Sequence, residues 1–213
     1  WAHTYLAMQH LNAEGDDRIK REYLSPSIEG SKVGCLCITE PYAGSDVAGM
    51  RTTAVLDGDE YIINGSKTFI TNGVYSDYLV VAAKTDPDLI GKGISIFVID
   101  RDTPGVSATK LNKLGWRASD TGEIAFSDVR IPAENLLGEE NKGFSYLMQH
   151  LALERLIMAI NGTARAEFAL EYSLKYMSER TAFGKTIDRF QVWRHRVAEM
   201  ASQIEIQKQF NYM

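Results

Sequence analysis

The spacing of apolar residues changes twice along the chain and divides it into three zones. In the first zone, residues 1–33, apolar side chains recur at the helical spacing of Trp1, Tyr5, Met8 and Leu11. This spacing predicts a helix that ends at Gly15, because glycine is common at helix C-termini. A second short helix is predicted from Asp17 to Leu24, since Pro26 follows it.

In the middle zone, residues 34–134, the apolar period falls to two. About seven short strands alternate there with Gly, Pro and Asp residues, and no helical pattern interrupts them. The segment "TTAVLDGDEYIINGSKTFITNG" predicts a strand, an Asp-Gly turn, a strand, an Asn-Gly turn and a third strand. We therefore expect an antiparallel β-barrel or β-sandwich as the middle domain.

In the third zone, residues 135–213, the period returns to 3.6. One long helix is predicted over "GFSYLMQHLALERL" and beyond, with its end at Gly184, and a second begins in "TIDRFQVWRHRV". Two long helices with a short connection pack as an antiparallel hairpin. The three zones together predict a multi-domain α+β chain whose β domain is flanked by helical segments.

Composition narrows the possible functions. The 213 residues carry a net charge of −5 and no cluster of Lys and Arg, which argues against a nucleic-acid partner. No apolar run reaches the roughly 18 residues of a transmembrane segment. Cys35 and Cys37 share one strand face without a third Cys or a His nearby, so we interpret them as reduced core thiols and expect no metal site.

Two candidate stretches for chemistry lie in the β zone. In "CLCITEPYAGSDVAG" an apolar strand gives way to small residues, and Gly44 and Ser45 could present backbone N–H groups and a hydroxyl to a phosphate. The same residues also suit an ordinary surface turn. In "KTFITNG" strand alternation puts Phe69 and Thr71 on one face and Ile70 on the other, which suits either a flat heterocycle or a barrel core.

Two further candidates lie in the helical zone. Glu154 belongs to an apolar helix stripe formed by Leu147, Leu151, Glu154 and Met158. If buried, its carboxylate could act as a general base; otherwise it is a solvated side chain at the edge of the stripe. In "ERTAFGK" Arg180 and Phe183, with Gln191 farther on, could offer a cation and a ring to a ligand or could simply end a helix.

The order and spacing of six motifs are more specific than any one of them. The motifs "ITEPYAGSD", "NGSKTFITNG", "LGWRASDTGEIAFSDVRIP", "LLGEENKGFSYLM", "LERLIMA" and "ERTAFGK" resemble the acyl-CoA dehydrogenase family of flavoproteins over nearly the whole chain. The resemblance implies a fragment with the end of an N-terminal helical domain (1–33), the middle β domain (34–134) and the first helices of a C-terminal four-helix domain (135–213).

The resemblance also implies an FAD site built from two segments. Residues that match the first flavin-contact segment are Leu36, Ile38, Thr39, Gly44 and Ser45. Residues that match the second are Phe69, Ile70 and Thr71. Thr39 and Thr71 would then lie at the isoalloxazine ring, and Gly44 and Ser45 at the phosphates, with Ser45 also near the substrate. Arg180, Phe183 and Gln191 match residues that reach the FAD of a neighbouring subunit in a dimer of dimers.

The implied reaction is α,β-dehydrogenation of an acyl-CoA thioester, with electron-transferring flavoprotein as the acceptor that reoxidises the FAD. In the long-chain and isovaleryl-CoA branches the base is the glutamate of the motif "ERL", which is Glu154 here, and Arg155 matches a substrate-contacting arginine. In other branches the base lies nearer the C-terminus. Tyr42 and Phe69 depart from a glycine and a tryptophan that are common in the family.

Several alternatives stay open at this point. An acyl-CoA oxidase or another flavin oxidase could share the fold, and a non-catalytic β module could bind an acyl chain or a protein. We expect the isolated fragment to be inactive and to bind FAD poorly. The resemblance leaves the acyl chain length undecided, and it leaves the compartment as bacterial cytoplasm or mitochondrial matrix.

Overall fold

The computed structural model describes residues 2–89 and 93–213. The chain separates into two compact units, Trp1–His150 and Leu151–Met213. Short helices and a β-sheet form the first unit, and two long helical stretches dominate the second. Trp1, the first residue of the predicted helical stripe, lies outside the described residues.

The N-terminal part of the first unit is a series of short helical segments. They are a π-helical turn (His3–Ala7), α1 (Met8–Glu14), α2 (Asp17–Ile19), a second π-helical turn (Lys20–Leu24) and α3 (Ser25–Glu29). Gly15 ends α1, as predicted. The predicted helix from Asp17 to Leu24 is confirmed in its bounds by α2 and the second π-helical turn, but the chain remains helical beyond it. Pro26 lies in the first turn of α3, where its missing N–H is tolerated.

Within residues 2–89 and 93–213, eight strands form one sheet. They are β1 (Gly34–Cys37), β2 (Thr53–Asp57), β3 (Glu60–Thr71), β4 (Tyr78–Lys84), β5 (Ile94–Asp100), β6 (Val106–Lys110), β7 (Thr121–Pro132) and β8 (Leu136–Leu137). Their order is β6-β7-β3-β2-β4-β5-β8, with β1 paired to β4. The sheet is mixed rather than wholly antiparallel, because β1 and β2 both run parallel to β4. A parallel pair needs a long connection, and the hairpin of β2 and β3 supplies one between β1 and β4.

Strand β3 is longer than the turn pattern predicts. The Asp-Gly turn before it is confirmed, since Asp57 pairs with Glu60 across a two-residue hairpin loop. The predicted Asn-Gly turn is wrong, because β3 continues through Asn64 and Gly65. A Cβ at Gly65 would lie 2.6 Å from the Cα of Thr52. The glycine therefore allows close approach of the backbone before β2 instead of reversing the chain.

Strand β4 separates two apolar clusters. One cluster packs alternate β4 side chains against the N-terminal helices: Tyr78, Val80 and Ala82 with Leu11, Ile19 and Tyr23. The other packs the remaining side chains against β3 and β7: Leu79, Val81 and Ala83 with Ile63, Ile124 and Val129. Burial on both faces explains why the β4 sequence is continuously apolar instead of alternating.

The two cysteines lie in the second of these clusters. Cys35 and Cys37 are both buried and free, with their Sγ atoms 3.6 Å apart. Burial raises the pKa of the Cys37 thiol well above its usual range. Since the thiolate is the reactive form, the interpretation as core thiols is confirmed.

The second unit is a helical hairpin. Helix α4 (Gly143–Glu179) begins in the first unit and continues through the second, and α5 (Gln191–Tyr212) follows a small hairpin of β9 (Thr181–Ala182) and β10 (Lys185–Thr186). The helices are antiparallel, as predicted, since Asn211 donates to Thr163 at 3.0 Å and Lys208 donates to Glu167 at 2.6 Å. The predicted helix end at Gly184 is wrong, because Gly184 lies in the turn between β9 and β10.

Neither long helix holds a stretch apolar enough to cross a membrane, over the residues that the structure describes.

Candidate functional site

The loop after β1 is closed by a short backbone bridge. The N–H of Glu40 donates to the carbonyl of Ala43 at 3.0 Å, and the N–H of Ala43 donates back to Glu40 at 3.2 Å. Pro41 and Tyr42 form the exposed tip, with the Arg51 guanidinium 4.5 Å from the centre of the Tyr42 ring. Tyr42 therefore lies at the surface against a cation, and the bridge beneath it sets the path of the chain.

Gly44 and Ser45 follow the bridge as an exposed stretch of backbone. Within residues 2–89 and 93–213, their backbone N–H groups have no acceptor. A Cβ at Gly44 would meet no atom within 4 Å, so packing inside this chain does not demand a glycine there. An anion can approach the backbone closely where N–H groups have no acceptor and a glycine leaves space. This stretch therefore fits a phosphate group.

A buried ion pair behind the loop is the main feature that the sequence reading missed. The Lys67 ammonium donates to the Glu40 carboxylate at 2.8 Å and to the carbonyl of Ile38 at 3.0 Å. The Glu40 carboxylate also accepts the backbone N–H groups of Arg51 and Thr52. Both side chains are almost wholly buried, at 0% exposure for Lys67 and 3% for Glu40. The pair thereby fixes both ends of the loop, where it leaves β1 and where it approaches β2.

The surroundings shift the pKa values of both partners. Burial alone would raise the pKa of the Glu40 carboxyl, but the Lys67 charge and the hydrogen bonds outweigh it and leave the pKa below its usual value. Burial lowers the pKa of the Lys67 ammonium, and attraction to Glu40 offsets only part of that effect. Strand parity could have revealed Lys67, because it lies four residues after the buried Ile63 on the same strand.

The second predicted segment lies beside this loop. The N–H of Thr68 donates to the carbonyl of Thr39 at 2.8 Å, which joins β3 to the second residue after β1. Phe69 is a bulge residue with φ +60°, and the pairing of β3 with β7 shifts register across it. A left-handed conformation is uncommon for a bulky residue, and strain of this kind concentrates at functional sites.

At the bulge, Ile70 is buried while its neighbours Phe69 and Thr71 are more exposed, as the alternation along the strand predicts. Ile70 is 3% exposed, whereas Phe69 is 70% exposed and Thr71 is half-buried. The strained bulge therefore places a bare aromatic ring outside the core, next in sequence to the strand position that bonds Thr39. An exposed ring beside a loop with free N–H groups suits a ligand that combines a flat heterocycle with phosphates.

Glu154 and Arg155 lie on α4 in the second unit. Glu154 is half-buried and Arg155 is exposed. Along the predicted stripe, Leu147 is buried but Met158 is 54% exposed. Glu154 thus lies between a buried and an exposed position of the stripe.

The fourth predicted candidate lies at the hairpin between α4 and α5 and at the start of α5. Arg180 precedes β9 and accepts the N–H of Ile187 at 2.9 Å through its carbonyl. Phe183 is 96% exposed in the turn, with its ring centre 6.4 Å from that of Phe190. Gln191 is exposed at the start of α5. All three side chains are exposed, so each is available to a ligand or to another chain.

Two family models match the chain. "Acyl-CoA dehydrogenase, middle domain" matches residues 35–129, and "Acyl-CoA dehydrogenase, C-terminal domain" matches residues 141–213. The loop after β1 and the Phe69 bulge fall in the first match. Glu154 and the hairpin group fall in the second.

Curated relatives carry the names of both branches that the motifs favour. The chain is 41% identical over 211 residues to the mitochondrial long-chain specific acyl-CoA dehydrogenase of Sus scrofa, covering 98% of this chain and 49% of that protein. It is 40% identical over 214 residues to the mitochondrial isovaleryl-CoA dehydrogenase of Pongo abelii, covering 99% and 51%. The chain spans about half the length of these relatives.

A solved structure confirms the expected fold. The crystal structure of a glutaryl-CoA dehydrogenase from Mycobacterium smegmatis in complex with FADH2 matches with a TM-score of 0.91 and 33% identity. The match covers 99% of this chain and 53% of that one.

Proposed function

Because the chain belongs to the acyl-CoA dehydrogenase family, we propose that the full-length protein is an FAD-dependent enzyme that dehydrogenates an acyl-CoA thioester between Cα and Cβ. The observation that carries the proposal is the exposed Phe69 ring on a strained bulge, whose neighbour Thr68 donates a backbone hydrogen bond to Thr39, two residues after β1. The Phe69 ring itself is 70% exposed, so packing within this chain does not account for the strained conformation.

The residues of the first unit would hold the cofactor. Leu36, Ile38 and Thr39 at the end of β1, with Phe69, Ile70 and Thr71 of β3, would line the flavin ring. The free N–H groups of Gly44 and Ser45 would bind the phosphates. When bound, FAD would supply the redox chemistry by accepting the substrate's β-hydrogen as hydride. The buried pair of Glu40 and Lys67 holds the loop in place before the cofactor arrives, so less ordering is left to binding.

Glu154 would remove the α-proton. The carboxylate oxygen forms the new O–H bond, and the electrons of the α C–H bond pass into the developing C=C bond as the β-hydride leaves. Glu154 is half-buried, and a carboxylate is one of the side-chain groups that act as general bases. Arg155 and Ser45 would contact the acyl-CoA.

Two kinds of partner complete the proposal. Electron-transferring flavoprotein would reoxidise the FAD, as the family resemblance implies. Arg180, Phe183 and Gln191 would reach the FAD of a neighbouring subunit in a dimer of dimers. Their exposure at the α4–α5 hairpin supports this role, because an arginine and an aromatic ring are favoured at interfaces.

The visible spectrum of the purified full-length protein tests the proposal. We expect an oxidised flavin spectrum that bleaches when acyl-CoA is added without oxygen. Long-chain and branched short-chain thioesters should be compared, because the two branches differ in substrate. A colourless protein would favour a non-catalytic acyl-binding or protein-binding module. Rapid flavin reoxidation by oxygen with stoichiometric peroxide would favour an oxidase.

A further inference from the structure

A compact group of two histidines and one glutamate lies in the first unit. His10 and Glu14 are one turn apart on α1, and His150 is the last α4 residue of that unit. The Glu14 carboxylate lies 3.2 Å from Nδ1 of His10 and 3.0 Å from Nε2 of His150. The two imidazole rings meet edge to face, with their centres 4.6 Å apart. One ligand atom from each residue lies within 4.8 Å of the other two.

These distances are close to those of a zinc site. Zn²⁺ binds histidine nitrogen and carboxylate oxygen at about 2.0–2.2 Å, so tetrahedral ligand atoms are separated by roughly 3.4 Å. The two separations from Glu14 are already near that value. The two histidine nitrogens lie within 4.8 Å of each other. Two imidazoles and a carboxylate favour zinc over magnesium, because magnesium prefers oxygen ligands only.

The His10 side chain is wholly buried, and its Nδ1 lies against the Glu14 carboxylate. A metal ion bound at Nδ1 would replace that hydrogen bond and keep a polar partner on this side of the buried ring. The Nε2 atom of His10 has no hydrogen-bond partner within the residues that the structure describes, and a metal ion at Nδ1 would not change this. Glu14 is also the last residue of α1, where the carbonyl end of a helix favours a cation.

The position of the group leaves access for an ion and one further ligand. The side chains are 0% exposed for His10, 7% for Glu14 and 15% for His150. The group is therefore nearest to solvent at the His150 side chain, where a water molecule could be the fourth ligand of a four-coordinate site.

We propose that His10, Glu14 and His150 bind one Zn²⁺ ion, which fastens α1 to the start of α4. This adds a metal site to a chain whose cysteines gave no reason to expect one. Ligands that are 140 residues apart have no spacing signature in the sequence, and only the fold brings them together. The role is structural, and it is independent of the proposed acyl-CoA chemistry.

The direct test is zinc binding by the metal-free full-length protein, measured by competition with a chromophoric chelator. We expect one Zn²⁺ per chain and a rise in melting temperature on zinc addition. His150→Gln keeps an N–H that can donate to Glu14 but removes the imidazole ligand. It should weaken binding by at least about a hundredfold, since loss of groups behind the ligands already costs 10-fold to 100-fold. His195→Gln, at an exposed position of α5, is the matched control and should bind like the wild type.

Cobalt gives a second readout that does not depend on stability. Co²⁺ bound in place of zinc should show the intense visible absorption of a four-coordinate site in the wild type and in His195→Gln, but not in His150→Gln. Absence of stoichiometric zinc binding in a folded wild type would overturn the proposal and leave a hydrogen-bonded triad. Zinc binding that persists in His150→Gln would also overturn it.

Discussion

The loop after β1 and the helix that carries Glu154 are built in opposite ways. The loop is held from beneath by a buried ion pair, a backbone bridge and a strand-to-strand bond, all made by this chain. The helical hairpin keeps large apolar side chains exposed, including Phe168 and Phe210, at 70% and 75%. The chain therefore fixes the proposed cofactor loop by its own contacts, whereas the proposed base lies on a helix whose apolar surface is only partly covered by them.

The largest expected effect comes from breaking the buried ion pair. Lys67→Met should lower the free energy of unfolding of the full-length protein by about 3–5 kcal/mol, because it leaves the Glu40 carboxylate buried without its cation. Denaturant titration measures the change. Lys175→Met, at an exposed position of α4, is the matched control and should change stability by less than about 0.5 kcal/mol. Equal midpoints for the two variants would show that the pair does not hold the loop.

A smaller effect is expected where the loop would contact the cofactor. Gly44→Val should weaken FAD binding about tenfold, because the added side chain would fill the space that a phosphate needs. It should leave the melting temperature of the cofactor-free protein unchanged, since a Cβ at Gly44 meets no atom of the chain. Gly115→Val is the matched control, because Gly115 is equally unobstructed and lies outside the proposed site. Fluorescence titration measures the FAD affinity of both variants. Equal affinities of Gly44→Val and Gly115→Val would count against the assignment of Gly44 to the phosphate site.

The smallest expected effect is a pH dependence of stability. The folded pKa of Glu40 lies below its ordinary value, so the charged form stabilises the fold above the unfolded pKa of about 4.3. That stabilisation should disappear as the pH falls through the lower, folded pKa. The difference in unfolding free energy between wild type and Glu40→Gln should thus be constant from pH 6 to 7 and shrink below about pH 4.3. A difference that does not change with pH would mean that Glu40 stabilises only by packing.

The same contrast explains which features could be predicted from sequence. The helices, the Asp-Gly hairpin and the core cysteines follow local patterns of period, turn residues and burial. The Asn-Gly stretch gave the wrong element, because the backbone beside Gly65 demands a glycine and no turn is made there. Pro26 does not end the helical region, because proline is tolerated in the first turn of a helix. No local pattern in the sequence marked the start of α3.

The candidate site likewise has residues that the sequence motifs indicated and contacts that only the fold shows. The motif order indicated Gly44, Phe69 and Glu154, but the left-handed bulge at Phe69 arises from a register shift against β7 that the sequence of β3 does not record. The ion pair joins residues 27 positions apart, and the histidine group joins residues 140 apart. Contacts of that range depend on tertiary packing. Periodicity within one strand can indicate that Lys67 is buried, but it does not identify the residue that Lys67 contacts.

The most direct test of the proposed mechanism is the rate at which acyl-CoA reduces the bound flavin in Glu154→Gln. The full-length, FAD-loaded variant should bind acyl-CoA but bleach at least about 100-fold more slowly than the wild type, because removal of a general base typically costs 10²–10⁴ in rate. Glu171→Gln, an exposed change on the same helix, should bleach at the wild-type rate. Stopped-flow measurement without oxygen gives both rates. Reduction of Glu154→Gln near the wild-type rate would contradict the assignment and place the base elsewhere.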